Sequence, residues 1–172
     1  MSGGCILKGA IFYASRYGST AQYAQWIAEA ASLPAYDLEE TDVTLAEIDF
    51  LALGSPVIYH KLMFHRWVKR NLDDILALPT VFFSVSGAGA GPKLDSWMAD
   101  SLPAAFVSHA THVALPGRQD PDELSRFDRI MLIIGGLMNP DRKAAKDEMH
   151  GFDSMDKASI RPIVEKIREL QV

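Results

Sequence analysis

The feature that most constrains this chain is a recurring unit: a short, continuously apolar run, a turn of small residues, then a stretch with helical periodicity. Residues 8–14 (KGAIFYA) open the first unit, residues 50–54 (FLALG) a second and residues 80–85 (TVFFSV) a third; residues 35–38 and 111–115 are shorter strand candidates. Apolar runs without polar alternation suit strands covered on both faces, the condition of a parallel sheet. After the first run, Ala24, Ile27, Ala28 and Ala31 recur at helical spacing, and Leu33-Pro34 closes that helix. Residues 39–49 read as an acidic loop with a helical turn. Phe64, Trp67, Val68, Leu72, Ile75 and Leu76 mark one face of a helix over residues 64–76. Pro92 opens another, which turns Leu94, Trp97, Met98 and Leu102 inward. Residues 122–137 predict a further helix, and residues 139–154 are polar without pattern. Ile160, Ile163, Val164, Ile167 and Leu170 define the last helix, where Pro162 is tolerated because it falls in the first turn.

Alternating strands and helices with right-handed crossovers give a doubly wound α/β sheet with helices on both faces. At 172 residues, with no internal repeat and no Gly/Ser linker, the chain reads as a single domain. In such sheets ligands sit beyond the carboxyl ends of the strands. Three loop-like, small-residue segments should reach that edge: residues 15–20, 55–60 and 86–91.

The first is Ser15, Arg16, Tyr17, Gly18, Ser19 and Thr20. It enters a helix, whose free amides and positive dipole end attract an anion. Gly18 lets the backbone curl towards a ligand, and the hydroxyls add donors. The competing reading is a simple turn capped by Ser19 or Thr20. No lysine follows the glycine, so this is not a triphosphate loop; a mononucleotide phosphate fits better. The second is Ser55, Pro56, Val57, Ile58 and Tyr59, where Tyr59 could stack on an aromatic face or simply pack. The third is Ser86, Gly87, Ala88, Gly89, Ala90 and Gly91. It fails the dinucleotide pattern, since Pro92 occupies the last position and the strand before it is a late one. It reads instead as backbone lining a flat ligand, or as a flexible loop.

Net charge is −5, which argues against a broad footprint for nucleic acid. His109 and His112 are expected on opposite sides of a strand, and His60 and His65 flank a loop; neither pair has the companions a metal needs. No G-x-S-x-G elbow marks a hydrolase. The one cysteine, Cys5, makes no internal disulfide and suits a reducing compartment, packed before the first strand. Lys61, Arg66, Lys69 and Arg70 read as a solvated helix face. The amino terminus lacks the pattern of a secretory signal, and the longest apolar run, residues 130–138, is far short of the ~20 residues that span a bilayer.

The first segment, Ser15-Arg16-Tyr17-Gly18-Ser19-Thr20, resembles the flavodoxin phosphate loop, (S/T)-x-x-G-x-T, in its expected place after the first strand. Residues 48–59, ending Gly54-Ser55-Pro56-Val57-Ile58-Tyr59, are similar to the flavodoxin stretch that ends in GSPVY, and residues 80–91 fall where that family's third flavin loop lies. The resemblance covers essentially the whole chain. It implies a flavodoxin-like five-stranded parallel sheet in order 2-1-3-4-5 and FMN as cofactor. The phosphate is expected on Ser15 to Thr20, and the isoalloxazine between Ser55, Pro56, Val57, Ile58 and Tyr59 on one side and Ser86, Gly87, Ala88 and Gly89 on the other.

Within that superfamily, Tyr59, Phe64 and Trp67-Val68-Lys69 resemble the pattern of the menaquinone-dependent protoporphyrinogen oxidases. So do Phe83-Ser84-Val85, Phe127-Asp128-Arg129-Ile130-Met131 and an extra segment over about residues 118–154. This resemblance implies electron transfer from a porphyrinogen to a quinone, at a cytoplasmic location with at most peripheral contact at the inner face of a membrane. No acid or base side chain is expected to be catalytic, because the flavin supplies the chemistry. Residues Phe127, Ile130, Met131, Ile133, Ile134, Leu137 and Met138 are then either a helix covering the sheet or a wall beside the flavin, with Arg126 or Arg129 pairing a tetrapyrrole propionate. The alternatives are a one-electron carrier or small flavin reductase meeting redox proteins through its acidic surface, and an interaction module without FMN.

Overall fold

A computed structural model describes residues 6–120, 122–138, 140 and 150–172. Cys5 and most of residues 139–149 lie outside that set. Five parallel strands carry the fold: β1 (Gly9–Tyr13), β2 (Ala35–Asp37), β3 (Phe50–Ile58), β5 (Thr80–Ser86) and β6 (Thr111–Pro116), in the order β2-β1-β3-β5-β6. Counted among the parallel strands alone, this is the expected 2-1-3-4-5. The numbering shifts because β4 (Lys61–Leu62) folds back antiparallel on the end of β3.

Side-chain alternation along these strands builds two core layers. One face presents Ile11, Phe50, Ala52, Val81, Phe83 and Val85 to α1 (Ser19–Ala31) and α7 (Arg161–Leu170), through Tyr23, Ile27, Ile163 and Ile167. The other presents Ala10, Phe12, Leu51, Leu53 and Phe82 to α2 (His65–Arg70), α3 (Leu72–Leu76), α4 (Pro92–Ser101) and α5 (Ala104–His109). Each fully buried Phe, Leu or Ile contributes about 1.5–3 kcal/mol, so the two layers together dominate stability. Pro162 sits in the first turn of α7, as its sequence position requires. Among the described residues no helix is long and apolar enough to cross a membrane.

Several boundaries differ from the sequence expectation. The helix over residues 64–76 is two helices, because Asn71 leaves helical geometry at φ −110° and its amide donates to the Trp67 carbonyl. The strand expected to stop at Gly54 continues to Ile58, pairing Ser55 with Ser84 and Pro56 with Val85, so most of residues 55–60, expected as a loop, is strand. The helix after residue 122 starts four residues late, as α6 (Arg126–Met138). Residues 118–119, given no element in the sequence reading, and residues 152–153, within the stretch read as unpatterned, form a small antiparallel ribbon of β7 (Arg118–Gln119) and β8 (Phe152–Asp153). His109 is not on a strand: it ends α5, bonded to the Leu78 carbonyl at 2.6 Å.

His112 on β6 lies against the Phe82 ring, with centroids 4.5 Å apart, and its Nε2 is 2.7 Å from the Ser84 hydroxyl. Burial pushes its pKa below the usual histidine value, and Asp95 opposes that only in part. The unfolded chain therefore binds a proton before the native protein does. Its contribution is fully present above the unfolded pKa near 6.5 and is lost as pH falls from there towards the lowered native value. Denaturant unfolding at pH 7.5 and 5.5 should show a loss of stability on acidification that His112→Gln reduces. Equal losses in parent and variant would discard His112 as the source.

Candidate functional site

The carboxyl ends of β1, β3 and β5 place the three expected segments on one edge of the sheet. Between β1 and α1, the chain turns at Gly18, whose φ of +89° is the left-handed conformation glycine supports. Gly18 itself is the residue before the helix, not Ser19 or Thr20, and no side chain of its own caps it. The Ser15 hydroxyl serves instead, accepting from the amides of Gly18 at 3.2 Å and Ala21 at 3.4 Å. The amides of Ser19 and Thr20 have no carbonyl four residues back inside the helix, the ordinary state of a helix start.

Thr20 is the informative residue. It is 0% exposed, and among the described residues its Oγ1 is the one buried side-chain polar atom without a partner. An unpaired buried hydroxyl costs about 1–3 kcal/mol. A hydroxyl kept at that cost, beside free amides and a helix dipole, suits the phosphate monoester expected from the sequence.

At the second segment, the Ser55 hydroxyl is already engaged: it accepts from the Phe64 amide at 3.2 Å and donates to the Pro56 carbonyl at 3.0 Å. Pro56, Val57 and Ile58 are half-buried, and Tyr59 is 44% exposed at the turn between β3 and β4. Tyr59 and His60 both have positive φ, 50° and 63°. For non-glycine residues this is an uncommon backbone state that concentrates at functional turns. His60 stacks on Trp97, centroids 5.0 Å apart at 10°. At the third segment, Ser86 ends β5 and residues 87–91 form an open bend. Gly89 has φ +67° and nothing within 4 Å of an added Cβ, so its backbone faces open space. Gly87 differs: a Cβ there would meet the Phe152 ring at 2.6 Å, so the β7–β8 ribbon covers it.

Two groups near these loops escaped the sequence reading. Arg118 of β7 brings Nη2 to 3.7 Å from where a Gly18 Cβ would stand, beside the β1–α1 loop. Asp128 on α6 is buried and accepts hydrogen bonds from the hydroxyls of Tyr17 and Tyr59, while Arg16 Nη2 pairs with it at 2.6 Å. The signal for Asp128 was a lone carboxylate within an apolar helix. Its partners lie 111 and 69 positions away, which no local pattern reveals. Neither Arg126 nor Arg129 joins the cluster: both are exposed, and Arg129 pairs with Asp122 at 3.1 Å. Arg66, Lys69 and Arg70 form an exposed face of α2, as read from the sequence, whereas Lys61, also exposed, lies on β4 and not on that helix.

The flavodoxin domain family model matches residues 10–146. Among solved structures, the flavodoxin, WrbA-like protein from Agrobacterium tumefaciens is 15% identical with a TM-score of 0.50, covering 95% of this chain and 98% of that one. A flavodoxin from the domain Archaea is 15% identical with a TM-score of 0.44, covering 94% and 99%. A flavoprotein in complex with FMN from Lactobacillus acidophilus is 14% identical with a TM-score of 0.43, covering 64% and 92%. No curated protein matches the chain.

Proposed function

The chain belongs to the flavodoxin domain family, and from that premise we propose that it is an FMN-dependent redox protein. Its three carboxyl-edge loops hold the cofactor. The observation that carries the reading is the buried, unpartnered Thr20 hydroxyl at the start of α1. In this reading Ser15, Arg16, Tyr17, Gly18, Ser19 and Thr20 surround the phosphate, through hydroxyls, helix-start amides and the close backbone of Gly18. Tyr59, with Pro56, Val57 and Ile58 behind it, flanks one side of the ring. The backbone of Ser86, Gly87, Ala88 and Gly89 lines the other. When bound, FMN supplies the one- and two-electron chemistry, while the protein sets its binding, orientation and electrostatics.

The test is the visible spectrum of the purified protein, followed by titration of the apoprotein with FMN and with riboflavin. Tight, phosphate-dependent binding of a yellow cofactor supports the reading. A colourless protein that takes up neither flavin would leave an interaction module. A companion variant probes the third loop. Gly89→Val forces a branched side chain into positive φ, at a cost of about 1–2 kcal/mol, and should leave the apoprotein folded but unable to hold FMN with its parent spectrum. Full retention of an unperturbed FMN spectrum would make residues 87–91 a spacer.

The finer reading follows the protoporphyrinogen oxidase resemblance: electrons pass from a porphyrinogen to a quinone. Supporting it, α6 is fastened beside the loops and presents Phe127, Ile130, Ile134, Leu137 and Met138 to the outside. This is an apolar face of the kind a planar, poorly soluble partner needs. The competing reading, an electron carrier docking protein partners, draws on the net charge of −5. Turnover of protoporphyrinogen with a quinone, against reduction by a ferredoxin-type reductase alone, separates the two. Arg126→Gln with Arg129→Gln should slow a carboxylated tetrapyrrole and spare a neutral acceptor; equal tetrapyrrole rates would remove the arginines.

A further inference from the structure

Helix α6 is built inside out. The helix packs broadly on no strand or helix of the main body among the described residues. Its large apolar side chains face outwards, with Phe127 62%, Leu137 80% and Met138 79% exposed, while among its described side chains the buried one is the aspartate. A core helix buries its apolar stripe and leaves its charges in water. Here the charge is inside, and what holds the helix is polar.

The Asp128 carboxylate collects the Tyr17 hydroxyl, the Tyr59 hydroxyl and the Arg16 guanidinium. Burying a carboxylate is costly unless it is paired and hydrogen-bonded, and these three donors satisfy it. They also come from two places: Arg16 and Tyr17 from the β1–α1 loop, Tyr59 from the turn after β3. One side chain therefore ties the first turn of α6 to both loops at once. Smaller contacts sit around the same point. The Ser125 hydroxyl accepts from the Asp128 amide at 3.2 Å, and Phe127 meets the Tyr59 ring edge-on at 6.1 Å. The strained positive φ of Tyr59 and His60 belongs to the turn that carries the Tyr59 hydroxyl to this carboxylate.

We propose that Asp128 is a positioning residue: a latch that holds α6 across the two loops and thereby controls passage of ligand into and out of the site between them. The proposal rests on the flavin-site reading for the identity of that ligand, but not for the latch itself. Because the apolar face of α6 is not in the core, releasing the latch frees the helix without opening the sheet layers. Cofactor exchange then needs three charge-assisted bonds to part together, and the outward apolar face is held in register with the loops only while they are intact.

The experiment uses the full chain as the parent, Asp128→Ala, Asp128→Asn and the Tyr17→Phe, Tyr59→Phe double variant. Amide exchange over residues 126–138 is followed in the apoprotein, and FMN release is followed after loading. The latch predicts that Asp128→Ala speeds α6 exchange at least about tenfold, with the double variant close behind and Asp128→Asn intermediate, since each lost charge-assisted bond is of that size. Exchange in β1, β3 and β5 should change far less than exchange in α6, and the unfolding midpoint should fall by no more than about 6 °C. FMN release should accelerate with α6 exchange. Unchanged α6 exchange in Asp128→Ala, or a parent helix that already exchanges freely, overturns the latch. A midpoint that collapses together with exchange throughout the sheet also overturns it, because Asp128 is then an ordinary structural ion pair. A parent that binds no FMN defeats the flavin reading alone, and the apoprotein exchange still decides the latch.

Discussion

Gly54→Ala is expected to destabilise the protein by about 3 kcal/mol, at the upper end of the cost of overpacking a core. For a chain of this length that is roughly 6–12 °C in unfolding midpoint. Gly54 on β3 pairs in register with Phe83 on β5, and the Phe83 ring lies across it: an added Cβ would stand 2.2 Å from Cζ. Phe83 is 0% exposed in the layer beneath α1 and α7, so the ring cannot swing aside without displacing other side chains of that layer. The same device recurs at Gly9, where the in-register Phe50 ring would meet a Cβ at 1.9 Å. Bare glycine on a central strand is weak in itself; an aromatic laid over it restores the lost packing. The ring is the stated cause, so the double variant Gly54→Ala, Phe83→Leu should lose less than the sum of the single losses. Strict additivity would point instead to the backbone of β3. Because Gly54 immediately precedes Ser55, whose hydroxyl anchors the start of α2, the variant should loosen the turn after β3 as well.

These glycines show what the sequence can and cannot convey. The apolar runs at residues 8–14, 50–54 and 80–85 made the central strands legible, because burial on both faces leaves a continuous hydrophobic signature. The loops were legible for a related reason: small residues directly after such runs have few other uses. The end of β3 was not. Ser55-Pro56 reads as a turn dipeptide, yet it stays in the sheet because β5 offers Ser84 and Val85 opposite it. Asn71 was missed because hydrophobic spacing continues across the break from α2 to α3; the period reports the buried face, not helix continuity. α5, β4, β7 and β8 are too short for any period to register. At α6 the pattern misled in a more instructive way. Its apolar residues left two readings open, a helix laid on the sheet or a wall beside the ligand edge, and the first fails because the sheet is covered by α1 and α7 on one face and α2 to α5 on the other. Nothing in spacing alone says that both faces are taken, nor that Arg16, Tyr17 and Tyr59 would converge on Asp128.

Thr20→Val should move two properties in opposite directions, and that opposition is its diagnostic value. The substitution keeps the branched shape and removes only the Oγ1 that has no partner. In the apoprotein the buried hydroxyl is a liability, so valine should raise stability by about 1 kcal/mol. In the FMN complex the same hydroxyl is expected to donate to a phosphate oxygen, a charge-assisted bond worth about 1.5–3 kcal/mol. FMN affinity should then fall roughly 10- to 100-fold. The helix start should not fray, because Ser15 rather than Thr20 satisfies the amides of Gly18 and Ala21. Riboflavin, which lacks the phosphate, provides the control: its affinity should be the same for parent and variant. Fluorescence titrations with both flavins, beside unfolding midpoints of the apoproteins, measure all three quantities. Equal losses for FMN and riboflavin would mean that the variant disturbs the ring site or the fold. Unchanged FMN affinity in a more stable apoprotein would take Thr20 out of the phosphate site, and with it the observation on which the flavin reading chiefly rests.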